Sequence, residues 1–222
     1  MINTLEDYIY ESMPGWGDFL TNPNLEQKVS REGVLLAYSG NTVVFLLDED
    51  TRAQLRQLQR SLYQAAPEML ANPLQESTFH MTLHDLINGK PEEFGLRKQM
   101  DDVRETVIPM LARWKKMPPL RMRTTCLFNM VNTSIVLGLA PADNDSWQRL
   151  DEMYTALESV VRLGYAMTPH ITLAYFRPGI YTQDQVQRIN CALGQVEMAV
   201  TLQPKDLVLQ NFTDMNHYET VI

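Results

Sequence analysis

The chain has 222 residues, 45% of them hydrophobic, and a formal net charge of −8. That is enough apolar material for one large core or two small lobes, and too acidic a balance for the broad basic face that grips long duplex nucleic acid. The longest strictly apolar runs, such as residues 43–47, fall far short of the roughly 20 residues a membrane helix requires. The opening stretch MINTLEDYIYESM is acidic and lacks both the basic region and the long apolar region of a secretory signal, so a cytoplasmic location without a membrane partner is expected. Cys126 and Cys191 form no Cys-x-x-Cys pair, have no histidine at metal-ligand spacing, and are expected to be reduced core residues.

Residues 1–33, which include PGWGDF, have no counterpart later in the chain and read as an N-terminal extension packed on the rest. Over 34–47, the β-rich runs VLLAYS and TVVFLL are separated by Gly40-Asn41, a hairpin signal. DEDTRAQLRQLQRSLYQAA follows as an amphipathic helix, with Leu55, Leu58, Leu62 and Tyr63 on one side, acidic residues in the first turn and Pro67 beyond the end. A strand over 78–86, closed by Asn88-Gly89, precedes a second helix over about 91–116 that carries Met100, Val103, Val107 and Leu111 at helical spacing. Pro118-Pro119 stops that helix, and LRMRTTCLF reads as a strand. The order then repeats. NTSIVLGLA is a strand, 145–163 a helix with Leu150, Met153, Tyr154, Leu157 and Val161 inward, PHITLAYF a strand, and 183–193 a helix capped by Gly194. VEMAVTL and DLVLQNF are final strands before a tail from Asp214. The pattern indicates an α+β class in one bilobal domain, with a first lobe over 34–130 and a second over 131–222.

The two halves share one short string. FHMTLHDL and PHITLAYF both contain H-x-T-L, at His80 and again 90 residues later at His170. One copy means little, but two copies among four histidines arise by chance in only on the order of one in two thousand such chains. On a strand, side chains at i and i+2 leave the same face about 7 Å apart, so His80 and Thr82 look one way and Met81 and Leu83 the other. His170 and Thr172 are set likewise against Ile171 and Leu173. Lobes packed about a pseudo-two-fold axis then bring two imidazoles and two hydroxyls to one cleft. That set suits a phosphodiester: a base for the incoming oxygen, an acid for the leaving one, and neutral donors to the non-bridging oxygens. This chemistry requires no metal, and no cofactor is expected.

His84 falls two positions beyond Thr82 on the same predicted face and is a candidate contact to a base or sugar. It cannot share a metal with His80, because i and i+4 lie about 13 Å apart on a strand. Arg177, in the loop that begins after the second motif, is read equally as a phosphate clamp and as a solvated arginine. Strand parity turns Tyr175 away from His170 and into the core unless a bulge reverses it. His217, in the tail beside Tyr218, is read as a surface residue.

At these residues the sequence resembles the two-histidine (2H) phosphoesterases, whose signature is a pair of H-x-[ST]-φ motifs and which include the bacterial RNA 2′,5′-ligase-like proteins and cyclic nucleotide phosphodiesterases. The resemblance implies a bilobal duplicated fold with two antiparallel sheets around a central cleft and helices outside. It implies metal-independent hydrolysis or transesterification of a 2′,3′-cyclic or 2′,5′-linked nucleotide or RNA end. His80 and His170 then transfer protons, in an order left open, and Thr82 and Thr172 bind the phosphate. The implied partner is a small nucleotide or RNA end. A module that binds such a ligand without turning it over is the second reading, and the intact histidines in both motifs count against it.

Overall fold

Alternating amphipathic helices and half-buried strands leave each strand one face for helices and one face free, and the computed structural model, which describes residues 18–222, uses both. The expectation that the chain opens without a secretory signal, and most of PGWGDF, lie outside the described residues. In chain order the elements are β1 (Phe19–Leu20), β2 (Ser39–Leu46), α1 (Glu49–Ala65), β3 (His80–Gly89), α2 (Leu96–Trp114), β4 (Leu120–Met130), β5 (Ser134–Pro141) and α3 (Asn144–Glu158). They continue with β6 (His170–Tyr175), β7 (Ile180–Tyr181), α4 (Gln183–Asn190), β8 (Gly194–Gln195), β9 (Ala199–Leu202), β10 (Leu207–Asp214) and β11 (His217–Thr220).

The main sheet runs β11-β10-β2-β3-β6-β5-β4-β8, with β9 also on β4, and β1 pairs separately with β7. Its two halves meet through a single register pair, Met81 opposite Ile171, in antiparallel sense. Those two residues are 90 positions apart, the same offset as the histidines, so the pseudo-two-fold axis passes between them. The halves of the sheet are not consecutive halves of the chain. β4 lies on the side of the second motif and β10–β11 on the side of the first. The cause is local: β4 reaches β5 through a turn of a few residues around Val131 and Asn132, too short for β4 to pair anywhere but beside β5.

The helices close the outer faces. α1 starts where the Asp48 carboxylate accepts from the Thr51 N–H at 2.7 Å, and it buries Leu55 and Leu62 completely. It lies on β6, reaching it through Gln59, and α3 lies on β3 through Tyr154 and Glu158. Each helix thus covers the motif strand of the other half, which ties the two halves into one core.

Several elements differ from their sequence signals. Gly40-Asn41 is not a turn, because β2 runs straight through it. A Cβ on Gly40 would stand 2.4 Å from the Ile87 carbonyl oxygen, and the Asn41 carboxamide, 1% exposed, accepts from Ile87 N–H and donates to Met100 O, each at 3.1 Å. The dipeptide serves a close approach of the paired strands β2 and β3, and of VLLAYS only Ser39 enters β2 while Leu35 makes an isolated bridge to Val29. α2 starts at Leu96, after Gly95 at φ 83°, and α3 stops at Glu158, whose carboxylate takes the N–H groups of Leu163 and Gly164 and turns the chain back. The tail from Asp214 forms β11. Cys126 is buried, and burial pushes its thiol up to about 11, whereas Cys191 caps the end of α4 and is exposed. Among the described residues no helix is long and apolar enough to cross a membrane.

Val131 sits at φ 44° while 52% exposed, a conformation its branched side chain resists. Replacing it with glycine is expected to raise stability by about 1 kcal/mol in urea unfolding. An unchanged midpoint would show that the turn carries no strain.

Candidate active site

The site is shaped by two matching β-bulges. In β3 the register against β2 slips between Val43–His84 and Val44–Thr82, leaving Leu83 as the extra residue. In β6 the register against β5 slips between Ile135–Ala174 and Val136–Thr172, leaving Leu173 extra, 90 positions later. Each bulge reverses the parity beyond it. Leu83 and His84 both turn inward, as do Leu173 and Ala174, so Asp85 and Tyr175 come back to the face of the H-x-T pairs. The carbonyls involved are taken up by buried side chains. The Gln59 amide donates to Leu173 O at 2.9 Å, and the Thr42 hydroxyl lies 3.1 Å from His84 O and 3.2 Å from Asp85 Oδ1.

His80, Thr82, Asp85, His170, Thr172 and Tyr175 line one cavity of 220 Å³. With Met81 facing Ile171, antiparallel geometry sets His80 opposite Thr172 and Thr82 opposite His170. The imidazoles are then diagonal neighbours, a relation that spans about 7–8 Å in a regular ladder. Each ring is held from behind at equivalent places. His170 Nδ1–H donates to Thr168 O at 2.7 Å, and His80 bonds to the backbone of Thr78, 90 positions earlier. This fixes the neutral tautomer of His170 and leaves its Nε2 for chemistry. The Tyr218 ring packs edge-on against His80 at 5.1 Å.

Burial pulls the His80 pKa down to about 4; the Thr78 bond and the Asp85 charge oppose it, and a proton on His170 lowers it further. Burial also lowers His170, against the Thr168 bond and the Asp85 charge.

Two candidate contacts lie elsewhere. The bulge removes His84 from the face of His80: it is 1% exposed, its Nδ1 beside the Asp85 carbonyl and its Nε2 3.2 Å from Glu158 Oε1. Desolvation lowers its pKa, against the pull of both acceptors. It borders a neighbouring cavity instead. Arg177 is outside the cleft lining. Its N–H donates to Met69 O at 2.7 Å, which draws the chain away, and its Nε packs close to Gly33.

The cleft's cation is Lys28, from the extension outside the duplicated halves, with its Nζ 4.9 Å above the Tyr38 ring. Nothing in the sequence marked it, because its position depends on how the extension packs. Asp85 and Tyr175 had a signal: both are five residues beyond their histidines. Lys28→Ala is expected to raise KM for an anionic substrate about tenfold with kcat little changed, in steady-state assays at two salt concentrations. An unchanged KM at low salt would remove Lys28 from the site. Among the described residues no group of three or more His, Cys, Asp or Glu could hold a metal ion.

Neither a protein-family model nor a curated protein matches the chain. Solved structures do. The Agrobacterium tumefaciens protein ATU0111, a conserved protein of unknown function, is similar at TM-score 0.63 and 19% identity over 92% of this chain and 93% of its own. Escherichia coli LigT, a 2H phosphoesterase, is similar at TM-score 0.52 and 14% identity over 84% of this chain and 96% of its own. LigT complexed with 3′-AMP gives TM-score 0.50 and 14% identity over 83% and 96%. The α+β fold is that of LigT-like 2H phosphoesterases, as the paired motifs implied.

Proposed function

We propose that this chain is a metal-independent phosphodiesterase acting on a 2′,3′-cyclic or 2′,5′-linked nucleotide or RNA end. The observation that carries the reading is the pair of H-x-T couples meeting across Met81 and Ile171, each imidazole anchored through a backbone carbonyl and facing one cavity. LigT, similar in fold, has been crystallised with 3′-AMP, which supports a nucleotide ligand of small size.

In this reading His80 is the base and His170 the acid for hydrolysis of a cyclic phosphate. A proton on His170 disfavours one on His80, so a singly protonated pair keeps His80 neutral. His80 takes the proton of the attacking water as the new P–O bond forms. His170 gives its proton to the ribose oxygen as the old P–O bond breaks. Thr82 and Thr172 donate to the non-bridging oxygens, where charge accumulates in the transition state. Lys28 balances the substrate's charge.

Both histidines have lowered pKa values, so the pH profile of kcat/KM is expected to be bell-shaped with its maximum on the acid side of 6.5. Below about pH 4 His80 is protonated and no base remains; as pH rises through the His170 pKa the acid is lost. Stability follows the same burial. The neutral His80 contributes fully above pH 6.5, and that contribution is lost as pH falls through about 4. An activity maximum above pH 8 would contradict the assignment. The test of function is product analysis with 2′,3′-cyclic mononucleotides and 2′,5′-oligoadenylates in chelator. Binding without product would replace the enzyme with a nucleotide-binding module.

A further inference from the structure

The proton transfers make no use of Asp85, although it lines the cleft beside both histidines and both threonines. The bulge at Leu83 brings it there. Its Oδ1 lies 3.2 Å from the Thr42 hydroxyl, and among the described residues no lysine, arginine or imidazole forms an ion pair with its carboxylate. A histidine-orienting role is already filled, since the Thr168 carbonyl takes His170 Nδ1–H and the Thr78 backbone holds His80. What remains is its charge, which reaches both imidazoles and the Tyr175 and Tyr218 hydroxyls around the cavity. Among the described residues that line the cleft, the fixed charges are those of Lys28 and Asp85. With one proton on the histidine pair, these leave a single net positive charge, the match of a phosphodiester. Hydrolysis changes the ligand: water adds across one P–O bond, and the monoester formed, whose second ionisation falls at about pH 6, gives a proton to solvent and becomes a dianion near neutral pH. An uncharged residue at position 85 would leave two positive charges, the match of that product.

Resting on the phosphodiesterase reading, we propose that Asp85 determines which charge the cleft accepts: its carboxylate tunes the site to a singly charged diester and drives out the doubly charged monoester. Coulomb repulsion is proportional to the ligand's charge, so the carboxylate opposes a dianion twice as strongly as a monoanion seated in the same place. The attraction of Lys28 scales in the same way and favours the dianion. Asp85 offsets that preference. The half-buried wall screens charge less than open water does, so the difference is large enough to measure.

Calorimetry at about pH 7.5 with 2′-deoxyadenosine 3′-phosphate and its methyl ester tests this. The two share base and sugar, lack a 2′-hydroxyl to attack the phosphorus, and differ by one charge. The unaltered protein is expected to bind the methyl ester at least as tightly as the monoester. In Asp85→Asn, which keeps an oxygen facing Thr42, both ligands are expected to bind more tightly, and the gain for the monoester to exceed that for the methyl ester about tenfold. Asp85→Ser removes the charge with a different shape and is expected to show the same tenfold difference. The readout compares two ligands on one protein, so a general loss of binding does not imitate it. Equal gains for the two ligands in both variants, or a monoester bound about tenfold more tightly than the methyl ester by the unaltered protein, overturns the assignment. Equal gains alongside product from 2′,3′-cyclic AMP would sink the role of Asp85 and leave the catalytic reading standing. The tenfold difference with no product would sink the catalytic reading and leave Asp85 as the residue that sets ligand charge.

Discussion

Replacing either His80 or His170 with alanine is expected to lower kcat by about 10²- to 10⁴-fold, the range lost when a positioned acid or base is removed. Both rings line the 220 Å³ cavity and are only partly enclosed, so truncation leaves the core of Met81, Leu83, Ile171 and Leu173 in place. Thermal melts near pH 7 should therefore change little. The double variant is expected to be no slower than the worse single variant by more than a small factor, because the two groups act in one transition state. Losses that multiply would mean two independent contributions. Activity within about threefold of the unaltered protein in either variant would remove that histidine from the proton transfers.

The second large effect concerns architecture. Gly40→Ala is expected to destabilise the protein by about 3 kcal/mol, the upper part of the range for an overpacked interior. The added methyl would lie 2.4 Å from the Ile87 carbonyl oxygen, 2.6 Å from the Phe212 ring and 2.8 Å from Asn88 Cβ. A backbone oxygen in a paired strand cannot rotate aside, so β2 and β3 must separate at the end of the first motif strand. The sign discriminates, since glycine-to-alanine at an unstrained open position stabilises by about 0.4–1 kcal/mol. Urea unfolding gives the answer directly. A midpoint unchanged or raised would show that the paired strands do not approach as closely as Gly40 and Ile87 indicate.

The parts of the fold visible in the sequence were those governed by local chemistry. Asp48, the acidic first turn and the spacing of Leu55 and Leu62 specify α1 without any partner. His80 with Thr82, and His170 with Thr172, share a face because alternation holds over two residues. Beyond that, the strict period of two fails at Leu83 and Leu173, where one extra residue reverses the side chains that follow, in β3 as far as a second register shift between Asp85 and Asn88. The placement of His84 was therefore misread, and Asp85 was passed over. A bulge depends on the facing strand and on the groups that take its carbonyls, here Thr42 and Gln59, the latter more than a hundred residues from its partner Leu173. Gly40-Asn41 misled for a similar reason: the glycine answers to Ile87 and Phe212, not to its neighbours in the chain. The return of β10 to the side of the first motif strand, and the reach of Lys28 into the cleft, are long-range outcomes with no local mark.

A crystal structure with adenosine 3′-phosphate bound tests most directly whether folding brings the two histidine–threonine couples onto one phosphorus. The expected result is a phosphate seated between His80 and His170, with the Thr82 and Thr172 hydroxyls within about 2.6–3.2 Å of its oxygens. A phosphate bound elsewhere, or held by one couple while the other faces away, would contradict it.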